Sequence, residues 1–81
     1  MRQQVPGEEI LEEIAEEERE AREIRRRMAD WEFIEKQPPR IREALRYYIE
    51  TGDIRRAAKL AGLGIEEFRE LLRRARVPVV V

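Results

Sequence analysis

Arg55, Arg56 and Lys59 form one basic group in this chain, and Arg69, Arg73, Arg74 and Arg76 form a second. Guanidinium and ammonium groups at helical spacing can grip the phosphates of a nucleic acid, which positions a protein without reading sequence. The expected DNA contacts are therefore Arg55, Arg56, Lys59, Arg69 and Arg73. Glu66, Glu67 and Glu70 stand among them. Carboxylates there repel phosphate and read few bases, chiefly the cytosine amino group. A helical hairpin that touches no nucleic acid is the alternative on the same residues.

Other chemistry is largely excluded. Histidine, cysteine and serine are absent, and threonine occurs once, at Thr51. The usual nucleophile–base pairs are thus missing, as are thiolate zinc sites and disulfides. Glu8, Glu9, Glu12, Glu13, Glu16 and Glu17 offer carboxylates to a cation, but without histidine or loop geometry they read as a solvated acidic face. The expectation is a protein that is not an enzyme and uses no cofactor and no metal.

The elements that position the basic groups follow from residues 53–72. Ala57, Ala58 and Ala61 line one face of a short helix, and Gly62 falls where that helix must stop. Apolar residues resume at Leu63, Ile65, Phe68, Leu71 and Leu72. Small side chains let two helices cross closely, and glycine tolerates the positive φ of a tight stop. This is the pattern of a helix-turn-helix, with helices over Ile54 to Ala61 and Ile65 to about Arg76. Upstream, Ile41, Ala44, Leu45, Tyr48 and Ile49 give a core-facing helical stripe that starts after Pro38-Pro39. Gly52 caps that helix and Asp53 starts the next. The end, Val77-Pro78-Val79-Val80-Val81, reads as extended, with Pro78 barring a central strand.

From Glu8 to about Lys36 no proline or glycine interrupts the chain, so one long helix is expected, entered through Pro6 after a frayed leader. Ile10, Ile14, Glu17, Ala21, Ile24, Met28, Trp31 and Glu35 recur at alternating four- and three-residue spacing, a coiled-coil-like stripe with charged residues at two places. Trp31 and Ile34 are expected in the core. Ile10, Leu11 and Ile14 lie too far out for a small body to cover, and with Ile24 and Met28 they are the expected partner-binding residues. Arg25-Arg26-Arg27 reads as a solvated face paired with Glu18, Glu23 and Asp30.

The division expected is residues 1–37 as a helical arm and 38–81 as a helix-turn-helix body, in an all-α fold with a short extended tail. Eight glutamates against two arginines give residues 1–20 a charge of −6; five basic against four acidic groups give 21–36 +1; ten against six give 37–81 +4. An acidic arm and a basic body suggest two surfaces with different partners. Charge-rich, asparagine-free composition fits a heat-adapted source, and a GC-rich genome explains the excess of arginine over lysine equally well. No apolar run reaches membrane-spanning length, so no membrane is involved and a cytoplasmic location is expected.

Ala57-Ala58-Lys59-Leu60-Ala61-Gly62-Leu63-Gly64-Ile65-Glu66-Glu67-Phe68, followed by Arg76-Val77-Pro78-Val79, resembles the C-terminal half of small prokaryotic helix-turn-helix antitoxins of the VapB type. The resemblance spans about residues 41–80. It departs at Gly64, where those proteins tend to carry a serine cap, and in the N-terminal helix. It implies a homodimeric regulator that binds a PIN-domain ribonuclease toxin and its own operator DNA. The alternative is a helical scaffold whose long helix forms a homo-oligomeric bundle without DNA binding.

Overall fold

The computed structural model describes residues 7–79, with Glu8 described by its backbone alone. Five helices follow one another: α1 Glu8–Met28, α2 Trp31–Glu35, α3 Pro39–Thr51, α4 Ile54–Ala61 and α5 Ile65–Arg74. No strand occurs among the described residues. The fold is all-α: one long helix, then shorter helices containing the helix-turn-helix α4–α5, then an extended tail. The expected entry through Pro6 and the last two valines lie outside the described residues.

The long helix is shorter than its composition suggested. It ends at Met28, because Ala29 turns extended and Asp30 restarts the chain as α2. Asp30 Oδ1 accepts the Phe33 amide at 3.1 Å, a side-chain N-cap. Its own N–H donates to the Ala75 carbonyl at 2.8 Å, which ties the α1–α2 junction to the end of α5. Trp31 is consequently not a core residue. It stays 39% exposed, and its indole Nε1–H donates to the Arg26 carbonyl, capping the end of α1.

The core is closed by Phe68, Ile34, Leu45, Ile49 and Leu72, all fully buried, with Tyr48 edge-on to Phe68. Ala44, Ala57, Ala58, Ala61 and Ala75 fill the close approaches between helices. Burying the large members at about 1.5–3 kcal/mol each is the main favourable contribution to a body this small. Val77 is buried against this core and Pro78 and Val79 are half-buried, so the tail is a packed strap.

The helix ends are satisfied in detail. α4 stops at Gly62 (φ 71), with Leu63 N–H donating to Ala58 O and Gly62 N–H to Lys59 O, the paired bonds of a Schellman cap. α5 stops the same way but two residues before the expected Arg76. Val77 N–H donates to Leu72 O and Arg76 N–H to Arg73 O, with Arg76 itself at φ 57. At the start of α5, Gly64 has no side chain to offer. Only the return half of a capping box is present, Gly64 N–H to Glu67 Oε1 at 3.4 Å.

Candidate functional site

Arg25 departs from the expected solvated face, and Arg26, though exposed, pairs with Glu50 rather than with Glu18, Glu23 or Asp30. Arg25 is 8% exposed, its Nε–H donates to Ile49 O at 2.8 Å, and its guanidinium lies 5.7 Å from the centre of the Tyr48 ring. Arg22 Nε–H donates to Glu50 O at 3.0 Å, and Arg26 binds the Glu50 carboxylate through both Nε and Nη2. Ile49 O and Glu50 O lie in the last turn of α3, where carbonyls lack helical partners and the helix dipole favours cations. Arg22 and Arg25 thus cap the end carbonyls of α3, Arg26 holds the Glu50 side chain beside them, and Arg27 is the member of its cluster left on the open side. The Arg26 pair holds the Glu50 carboxyl below its ordinary value, and Glu50 raises Arg26 in turn. Burial pushes the Tyr48 phenol up, against the pull of Arg25 and Arg69.

The basic residues expected at DNA divide by environment. Arg55, Arg56 and Lys59 are exposed on α4, and among the described residues none has a carboxylate within salt-bridge distance. On α5, Arg69 reaches Glu66 at 3.5 Å and Arg73 reaches Glu70 at 3.4 Å, each one turn away. Arg69 is half-buried and lines a cavity with Arg73, Val77 and Val79. Exposed pairs of this kind are worth little to stability, yet they lower the positive field of α5. Of these five, the unopposed cations are therefore the three on α4. Arg40, absent from the expected set, caps α4 by donating to Leu60 O at 2.8 Å.

The five expected partner residues, Ile10, Leu11, Ile14, Ile24 and Met28, are all open, between 44% and 67% exposed. Isolated exposed apolar residues are ordinary, but apolar residues recurring along one side of a helix, here broken by Glu17, are the pattern of an interaction surface. Where this row passes the tail, Glu17, Ala21, Ile24 and Pro78 line a shallow cavity. Among the described residues no group of three carboxylates lies close enough to share a metal ion, and no helix is long and apolar enough to cross a membrane. No family model, curated protein or solved structure matches the chain.

One signal in the sequence marks the break in the long helix. Asp30 followed by Glu32 is an N-terminal helix signature inside an otherwise uninterrupted run. The arginine clamp has no local signature, since it depends on where the end of α3 lies in space.

Proposed function

We propose that this chain is an antitoxin-like regulator. Its helix-turn-helix body holds operator DNA by the phosphates through Arg55, Arg56 and Lys59, with Arg69 and Arg73 adding contacts once freed from Glu66 and Glu70. Its α1 is the arm that docks a protein partner, a PIN-type ribonuclease whose basic RNA-binding cleft suits an arm of charge −6 over residues 1–20. The observation that carries the reading is the uncovered apolar row of α1 beside a core that is already closed. A helix so exposed is only marginally stable in water and gains order from a second chain.

One observation favours the second reading, a scaffold that never meets DNA: the first turn of α5 carries Glu66 and Glu67 where a recognition helix usually meets base edges. Duplex binding against salt separates the two. The regulator binds with affinity that falls steeply as salt rises, and Lys59→Ala weakens binding to all sequences alike and flattens the slope by about one. It also forms a complex with a PIN-type ribonuclease, and Ile10→Glu/Ile14→Glu abolishes that complex. Salt-insensitive or absent DNA binding, together with indifference to the ribonuclease, refutes the regulator and leaves the scaffold.

A further inference from the structure

The apolar row of α1 is symmetric about its own centre. Ile10 and Met28 stand nine residues either side of Arg19, Ile14 and Ile24 five, and Glu17 and Ala21 two. At about 100° per residue these six positions fall on one side of the helix. Ile10, Ile14, Ile24 and Met28 are exposed there. We infer that the row is covered by a second copy of this chain, with the two α1 helices antiparallel and a two-fold axis at the level of Arg19. The inference rests on the reading of α1 as a docking arm: the second copy covers the apolar row, and the paired arm offers a ribonuclease its acidic outer faces, where Glu9, Glu12 and Glu16 stand.

Shape and charge both select the antiparallel register. A two-fold interface is self-complementary, so a row that reads alike from both ends meets itself in register. Ile10 then packs on Met28 of the second copy and Ile14 on Ile24. Glu17 faces Ala21, whose small side chain leaves the carboxylate a way to water. A parallel pair would set Glu17 against Glu17 and lay one acidic half along the other. Eight glutamates precede position 21, whereas Arg22, Arg25, Arg26 and Arg27 follow it. Antiparallel pairing brings Glu13 across from Arg27, the one arginine of its cluster left free of the α3 cap, and does so twice per dimer. Leu11 lies on the flank of the helix that carries Arg25. It comes alongside Arg25 and the tail of the second copy, beside the cavity that Ala21, Ile24 and Pro78 line. Glu18 and Glu20 each meet their own copies near the axis, so the association is a modest one.

The chain has no cysteine, so introduced thiols report the register directly. In the antiparallel dimer Ile14 of one copy neighbours Ile24 of the other, whereas the two copies of position 14 lie about 15 Å apart along the helix. That separation is far beyond the span of a disulfide, roughly 7 Å between Cα atoms. Oxidation of the full-length Ile14→Cys/Ile24→Cys variant is expected to give a covalent dimer, and oxidation of Ile14→Cys or Ile24→Cys alone is expected to give none. The wild-type mass in sedimentation should move from one chain toward two as concentration rises from about 5 to about 500 µM. A covalent dimer of Ile14→Cys alone, or a wild-type mass of one chain throughout, overturns the inference. A wild-type chain that stays monomeric yet binds a PIN-type ribonuclease overturns the self-pairing and leaves the docking arm standing.

Discussion

Two helices of this protein end in the same cap with different residues at its left-handed position, and the difference can be exchanged. Gly62 (φ 71) ends α4 and Arg76 (φ 57) ends α5. A residue with a Cβ in that conformation carries about 1–2 kcal/mol of strain. Glycine avoids the strain but gives the unfolded chain more freedom, an offset of about 0.5–1 kcal/mol. Arg76→Gly should therefore stabilise the fold by about 0.5–1 kcal/mol, since exposed Arg76 makes no side-chain hydrogen bond or ion pair among the described residues. Gly62→Ala should do the reverse and more. It adds the strain, and its Cβ would meet the Arg40 guanidinium at 3.0 Å, disturbing the bond from Arg40 to Leu60 O. A loss of about 1–2 kcal/mol follows. In a domain of this length about 1 kcal/mol moves the melting midpoint by roughly 4–8 °C, so calorimetry resolves both changes. Arg76→Ala is the control, because it removes the side chain and keeps the strain. If Arg76→Gly melts no higher than Arg76→Ala, the left-handed cap at the end of α5 is not strained and the argument fails.

Two further outcomes follow from the arginine clamp. Arg25→Met keeps an apolar stem but removes the donor to Ile49 O and the cation over Tyr48. It should cost about 1.5–3 kcal/mol in urea unfolding, and an unchanged midpoint would mean that the buried carbonyl finds another partner. The Glu50 carboxyl, held below its ordinary 4.5 by Arg26, binds a proton more readily in the unfolded chain than in the folded one. Its contribution is therefore present above about pH 4.5 and is lost as pH falls through the lowered value. Glu50→Gln should accordingly remove part of the acid-side fall in melting temperature while changing little of its slope above pH 6; a variant whose acid limb matches wild type refutes the role given to the pair.

Much of the body was legible because its signals are local. Gly62, Gly52 with Asp53, and Pro39 at the first position of α3 each impose a backbone geometry through their own chemistry, and each appears where the sequence placed it. The alanines at 57, 58 and 61 are equally direct, since a close crossing excludes larger side chains. Signals that depend on distant chain were read less well. Helix propensity alone ran α1 to Lys36, and it was outweighed by the Asp30 cap and by the bond from Asp30 N–H to Ala75 O, forty-five residues away. The same break turned Trp31 outward, so an aromatic that hydropathy assigns to the core serves as a hydrogen-bond donor to the end of α1. Arg25 was misread for a related reason. Charge says surface, but a guanidinium that meets unpaired carbonyls at the end of a neighbouring helix is satisfied when buried. The residues expected at partners fall between these cases. Their exposure follows from spacing, because Ile10, Leu11 and Ile14 lie beyond the reach of a short body. Which cations remain free depends on the partners that folding supplies: one-turn glutamates take up Arg69 and Arg73 and leave Arg55, Arg56 and Lys59 unopposed. The α4 face is therefore where an electrostatic partner would be felt first, and the α1 row is where an apolar one would.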